Sequence, residues 1–94
     1  MHETGVVRNL IRQLEQAAIR AGATRISAVS VRLGALSPFS PTHFREHFDE
    51  EACGTLVEAA TLSIEESDDV SDPHAQDVMI QSVSFEVPEQ SESR

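Results

Sequence analysis

The sequence predicts a small α+β domain, in which a three-stranded mixed sheet carries two helices on one face, in the order α-β-α-β-β. Three observations predict it. Two segments repeat their apolar residues at helical spacing, three segments alternate as strands do, and an acidic loop separates the last two strands. The 94 residues suffice for one small core but not for a large enclosed cavity. We therefore expect a single domain over residues 1–87 and a disordered polar tail over residues 88–94.

The first helix is predicted from Thr4 to Ala21, where apolar residues recur every three or four positions and polar residues occupy the opposite side. Thr4 is the expected N-cap, and Gly22 is the expected C′ residue that closes the helix. If the helix begins at Thr4, residues 1–3 project from its positive end. They would then be fixed in direction and open to solvent.

Two strands are predicted from alternation. In residues 25–33 the apolar side chains at positions 29, 31 and 33 share one face, and in residues 60–65 those at positions 60, 62 and 64 do the same. Gly34 ends the first of these strands. Each strand therefore has one face suited to a core.

The second helix lies between them. Ser40 and Pro41 have the residue types of an N-cap and a first helical position, so the helix is predicted from Pro41 to Ala52 and ends at Gly54. Phe44 and Phe48, four residues apart, are expected to point into the core.

His43 and His47 share the same spacing on a neighbouring face of that helix. Two histidines four residues apart on a helix can hold one metal ion. The alternative is that both are boundary histidines beside the acidic residues of the helix. The sequence leaves both interpretations open.

Residues 66–77 form an acidic loop with few apolar residues, which we expect to be mobile and unable to bury itself. His74, with Asp72 and Asp77, could be recruited to a cation, although a solvated loop is the simpler interpretation. Residues 78–87 follow as a third strand. Its apolar residues change parity near Gln81, which indicates a β-bulge at Gln81-Ser82.

Charge and composition exclude several classes of ligand. The net charge is −9, and fourteen of the sixteen acidic residues follow residue 45, whereas six of the seven Arg residues precede residue 46. This balance argues against nucleic acid or an anionic membrane, and it favours a cation or a basic protein surface. No secretion signal or membrane span is apparent, so we expect a cytoplasmic protein.

The sequence does not predict an enzyme. Cys53 is the only cysteine, so neither an internal disulfide nor a cysteine-based zinc site can form within one chain. Its thiol has no evident activating base, and no Gly-rich phosphate loop is present.

The segment Met1-His2-Glu3 carries the candidate metal site. The α-amine, the peptide nitrogen of His2 and the imidazole of His2 can close on one cation, because they form adjoining five- and six-membered chelate rings. A planar set of nitrogen donors suits Ni(II) or Cu(II), and Glu3 can serve as a fourth donor or orient the imidazole. Since the peptide nitrogen must lose its proton, binding should strengthen as the pH rises.

Four stretches match one family in the correct order. They are Met1-His2-Glu3 before a helix, Val29-Ser-Val-Arg-Leu-Gly34 with Leu36-Ser37, Gly54-Thr-Leu-Val-Glu58 leading to Leu62-Ser-Ile-Glu65, and the strand from Val78 to Val87. Together they resemble the HypA/HybF hydrogenase nickel-incorporation proteins. The resemblance covers residues 1–87.

This resemblance implies a nickel metallochaperone. It implies that Ni(II) is bound transiently through the amine of Met1 and the amide and imidazole of His2, with Glu3 in support. The implied partners are the large subunit of a [NiFe]-hydrogenase, or its maturation complex, and a HypB-like GTPase. We expect a monomer or a weak homodimer.

The chain departs from the family pattern in the loop before the third strand, at Ser40 and at Ala35, where the family often has another acidic residue. Members of the family carry a zinc ribbon with two Cys-x-x-Cys pairs between the second and third strands, where this chain has residues 66–77 without cysteine, so no structural zinc is expected. Ser40 stands where the family usually has an acidic residue, and a hydroxyl is a poorer nickel donor than a carboxylate. A second hypothesis is therefore an adaptor of a hydrogenase maturation complex that transfers no metal.

Overall fold

The computed structural model describes residues 3–88, apart from the side chains of Glu3 and Thr4. Its elements are α1 (Glu3–Arg20), β1 (Arg25–Leu33), α2 (Pro41–Ala52), β2 (Thr61–Glu66) and β3 (Val78–Glu86). The sheet order is β2-β1-β3, with β1 parallel to β2 and antiparallel to β3. The predicted α+β class, element order and mixed sheet are confirmed. The predicted tail lies outside the described residues, except for Pro88.

Helix α1 begins at Glu3, so Thr4 lies within the helix and its prediction as the N-cap is wrong. At the other end Gly22 has φ +72°, as a C′ residue requires. The N–H of Gly22 donates to the carbonyl of Ile19 at 3.0 Å, and that of Ala23 donates to Ala18 at 2.9 Å, which are the two bonds of a Schellman motif.

Pairing between β1 and β3 contains two irregularities. Ser30 pairs with Ser82 and Val31 with Ile80, so Gln81 is the extra residue of a bulge, as predicted. A second shift lies on β1, where Ser27 is the additional residue. It was not predicted. Because it changes the parity of β1, Ile26 faces the core together with the odd-numbered residues that follow.

The helices cover one face of the sheet and form a single apolar core with it. The fully buried side chains of greatest volume come from both layers and are Phe44, Phe48, Leu14, Ile26, Leu33, Val7, Val29, Val31 and Val57. Polar side chains also link the three strands. Gln81 of β3 donates to Glu65 of β2 at 2.6 Å and accepts from Ser30 of β1 at 3.0 Å. No helix within residues 3–88 is long and apolar enough to cross a membrane.

Ser40 caps α2 as predicted. Its hydroxyl oxygen accepts a hydrogen bond from the backbone N–H of His43 at 3.1 Å, and Pro41 opens the helix. Without this acceptor, one donor of the first turn would rely on water.

We expect Ser40→Ala to lower the free energy of unfolding by about 1 kcal/mol, since it removes the capping oxygen. The measurement is urea unfolding followed by circular dichroism. Ser40→Asp is the matched control, because its carboxylate can accept the same bond, and it should retain most of the stability. An equal loss in both variants would contradict the capping role.

The acidic loop between β2 and β3 is attached to the end of β1. The N–H of Gly34 donates to the carbonyl of Asp77 at 2.9 Å, and that of Leu36 donates to Ala75 at 2.7 Å. Ala75 is buried, so the prediction that the loop cannot bury itself is wrong at this point. The loop is attached through backbone groups, so the composition of its side chains does not reveal the attachment.

Candidate metal centre

The predicted nickel ligands are Met1, His2 and Glu3. Met1 and His2 are outside the described residues, and Glu3 is the first described residue of the helix. Coordination through Met1, His2 and Glu3 therefore stays a prediction. The structure does describe residues near this end of α1, and these include other side chains that could bind a metal ion.

Helices α1 and α2 run in the same general direction. Arg8 donates to the carboxylate of Glu51 at 3.0 Å, and Glu15, seven residues further on, accepts from the N–H of Leu56 at 3.2 Å. Helix α2 connects the parallel strands β1 and β2, and α1 leads directly into β1, so both helices run opposite to β1. The amino-terminal ends of both helices consequently lie at the same end of the molecule.

A cleft of about 520 Å³ lies at that end. Val6 of α1 and Phe39, which precedes α2, both line it, together with Val78 at the start of β3. Phe39 also packs its ring against the two histidines of α2, with centroid distances of 5.9 Å to His43 and 6.3 Å to His47. The histidine pair is therefore close to the end from which α1 begins.

His43 and His47 are half-buried and face each other across one turn of α2. Their Nε2 atoms are 3.0 Å apart, and their ring centroids are 4.6 Å apart. The Nδ1 atom of His47 is buried without a hydrogen-bond partner in the described part of the chain. The prediction that the two imidazoles share a face at the boundary of the core is confirmed.

His74 has local partners in the loop. Its Nδ1 lies 3.0 Å from the carboxylate of Asp77, and its backbone N–H donates to Asp72 at 2.9 Å. More than half of each side chain of the His74–Asp77 pair is exposed. The three residues predicted as a possible cation cluster are thus close in space, but they serve a solvated turn. Among the described side chains, which begin at residue 5, no three His, Cys, Asp or Glu are arranged to hold a metal ion.

Two carboxylates elsewhere have perturbed pKa values. Hydrogen bonds from the hydroxyl and backbone N–H of Ser71 lower the pKa of Asp69. A hydrogen bond from Arg25, at 2.7 Å, lowers the pKa of Glu86. Both carboxylates are solvent-exposed, so these shifts indicate local pairing at the surface and not a proton-transfer site.

Sequence reasoning missed one polar feature. Arg32 lines a cleft of about 230 Å³ with Ser67, His74 and Gln81, and its Nε atom is buried without a partner in residues 3–88. Strand alternation places Arg32 on the face away from the core. It does not reveal that the loop covers this side chain.

Three comparisons identify relatives. The model of the family described as hydrogenase/urease nickel incorporation, metallochaperone, HypA matches residues 1–72. Hydrogenase maturation factor HypA of Nitrosospira multiformis is 40% identical over 65 residues, which cover 69% of this chain and 56% of that protein. The corresponding factor of Roseiflexus sp. is 39% identical over 66 residues, covering 70% and 54%. The chain thus spans about half the length of the curated relatives it matches.

Solved structures agree on the fold. The solution structure of the Ni metallochaperone HypA from Helicobacter pylori superposes with a TM-score of 0.78 at 20% identity, covering 94% of this chain and 100% of that one. A second HypA solution structure gives 0.71 at 22% identity, covering 90% and 96%. Because the family model spans most of the sequence and both structures share its fold, the chain belongs to the HypA family of hydrogenase/urease nickel-incorporation metallochaperones.

Proposed function

We propose that the chain is a nickel metallochaperone or accessory protein for [NiFe]-hydrogenase maturation, and that it binds Ni(II) through Met1, His2 and Glu3. The observation that carries the proposal is the family match, which starts at residue 1 and so includes these three residues. The nickel ion is cargo, held transiently. The large subunit of a [NiFe]-hydrogenase and a HypB-like GTPase are the proposed partners, in the cytoplasm.

The start of α1 suits this chemistry for two reasons. The first N–H groups of a helix have no partner within the helix, so the peptide nitrogen of His2 can lose its proton without breaking a helical hydrogen bond. The helix that follows is rigidly placed, because Val7, Ile11 and Leu14 are buried in the core. A binding group attached to a packed element is presented in a restricted geometry.

No structural zinc is proposed for this chain. Residues 67–77 connect β2 to β3, and the only cysteine of the sequence, Cys53, lies in the exposed turn after α2. A tetrahedral site of four thiolates therefore cannot form from residues 1–94 of one chain.

The test is a nickel titration of untagged protein with an unmodified amino terminus. We expect one Ni(II) per chain in a planar nitrogen environment, observed as low-spin d–d absorption bands, with affinity that increases with pH as the amide deprotonates. His2→Ala or acetylation of the amine should abolish these bands. His74→Ala is the matched control and should leave them unchanged. Planar binding of equal affinity in the His2 variant would refute the proposal.

An adaptor without metal transfer is the second candidate, and one surface favours it. Leu36 and Val70 are 52% and 63% exposed. They line a shallow cleft of about 260 Å³ together with Asp72 and Asp77. Exposed apolar residues beside carboxylates suit a basic protein surface with an apolar centre. This candidate predicts that the maturation complex co-purifies with the His2→Ala chain as well as with the wild type; loss of the complex in that variant would exclude it.

A further inference from the structure

We propose that His43 and His47 together bind one transition-metal dication. The site is a pair of imidazoles in adjacent, or cis, coordination positions. It goes beyond the proposed function, because it does not use Met1, His2 or Glu3.

The distance between the imidazoles fits such a pair. Nitrogen ligands lie about 2.0–2.1 Å from a metal such as zinc, so two of them at a right angle are about 2.9 Å apart, and two at a tetrahedral angle about 3.3 Å apart. The Nε2 atoms of His43 and His47 are 3.0 Å apart. An ion can therefore be inserted with small rotations of the two rings. Imidazole nitrogen is a suitable ligand for Ni, Cu, Zn and Fe.

The protein holds the pair in place before any ion arrives. Phe39 packs against both rings, and the Ser40 cap fixes the first turn of α2 at the backbone of His43. Phe44 and Phe48 anchor the same helix in the core. Little side-chain freedom remains to be lost when the metal binds, which favours binding.

The nearby charges also favour a cation. Glu46 and Glu50 are exposed, and each follows one histidine of the pair by three residues, so they lie on an adjoining part of the helix surface. Arg45, the only basic residue of α2 apart from the histidines, donates to the carbonyl of Leu62 at 3.0 Å and is held toward β2.

The same geometry makes the binding weak. A metal-bound histidine usually donates its other ring N–H to an acceptor, and loss of that partner costs about 10–100-fold in affinity. Nδ1 of His47 is buried and has no such acceptor among residues 3–88. The described side chains also supply no third ligand. The pair is therefore a loose site that can release its ion.

The experiment uses the full chain with His2→Ala and an acetylated amino terminus, which removes the planar chelate. Nickel chloride is titrated and followed by calorimetry and by NMR of the imidazole protons. We expect one Ni(II) per chain, with paramagnetic broadening of the His43 and His47 rings. His43→Gln and His47→Gln, each added to this background, should lower the affinity at least tenfold. His74→Gln should not change it.

The midpoint of thermal unfolding is the control for effects of the substitutions on folding. Nickel should raise the midpoint of the parent chain, because the ion binds only the folded state, and this rise should vanish in either histidine variant even if its metal-free midpoint differs. Absence of binding, retention of binding in the His43→Gln/His47→Gln double variant, or broadening centred on His74 would overturn the proposal. The proposed function is tested independently with a His43→Gln/His47→Gln chain that has a native amino terminus. Planar nickel binding by that chain would support the amino-terminal site whatever the outcome for the histidine pair.

Discussion

Gly34→Ala is expected to cost about 3–5 kcal/mol of the free energy of unfolding. A Cβ atom at Gly34 would collide with the carbonyl group of Ala75 and lie 2.6 Å from the carbonyl oxygen of His74. These are backbone atoms, so no side chain can rotate away. The loop must move, which breaks the bonds of Gly34 to Asp77 and of Leu36 to Ala75. Two hydrogen bonds at about 1 kcal/mol each and about 1–3 kcal/mol of overpacking give the estimate.

Urea unfolding measures this loss, which is large beside the roughly 5–14 kcal/mol expected for a chain of this length. Gly5→Ala is the matched control. A Cβ atom there meets nothing within 4 Å, and Gly5 lies inside α1. Alanine should therefore stabilise the protein by about 0.5–1 kcal/mol. Equal midpoints for the two variants would show that the loop does not press on Gly34.

Phe44→Ala is expected to cost about 3–5 kcal/mol, through lost burial and the cavity that remains. Phe44 is fully buried and packs its ring edge-on against Phe39, at 5.4 Å between centroids. Such aromatic contacts contribute about 0.5–1.5 kcal/mol beyond burial. The measurement is the unfolding midpoint in urea, with the unfolding slope checked for two-state behaviour.

Two further variants identify the cause of this loss. Leu36→Ala removes a side chain that is 52% exposed and should change stability by less than about 0.5 kcal/mol. Phe44→Leu retains most of the volume and should recover more than half of the loss. If Phe44→Ala behaved like Leu36→Ala, the ring would not be part of the core.

Much of the fold follows from local sequence. The Ser40-Pro41 pair and Gly54 fix the limits of α2, because a cap, a residue without an N–H and a residue that tolerates positive φ act within one turn. The change of parity at Gln81 revealed a bulge, because the neighbouring apolar residues must still face the core. In each case the side chains carry the signal.

Other features were not predictable, because backbone atoms determine them. The contact of Gly34 with Ala75 joins residues far apart in the chain through a carbonyl group. The central position of β1 is likewise a choice among tertiary arrangements, not a property of its residues.

The two candidate metal sites also differ in how much of each could be predicted from the sequence. The proposed chelation by Met1 and His2 involves adjacent residues, so the sequence can suggest it without a fold. The spacing of His43 and His47 predicted a shared face, but the distance of 3.0 Å, the contact with Phe39 and the buried Nδ1 of His47 depend on packing. Those three features distinguish the proposed metal site from an ordinary pair of surface histidines.

The acidic loop is hydrogen-bonded to the end of β1 and the residues after it near both of its own ends. The N–H of Ser67 donates to the carbonyl of Leu33 at 2.9 Å, and the carbonyl of Ala75 accepts from Leu36. Residues 68–74 connect these two points, so this segment leaves the sheet and returns to it at the same edge. We therefore expect a change of length at residues 68–71 to disturb the strands less than a substitution at Gly34 or Ala75, where the loop is attached.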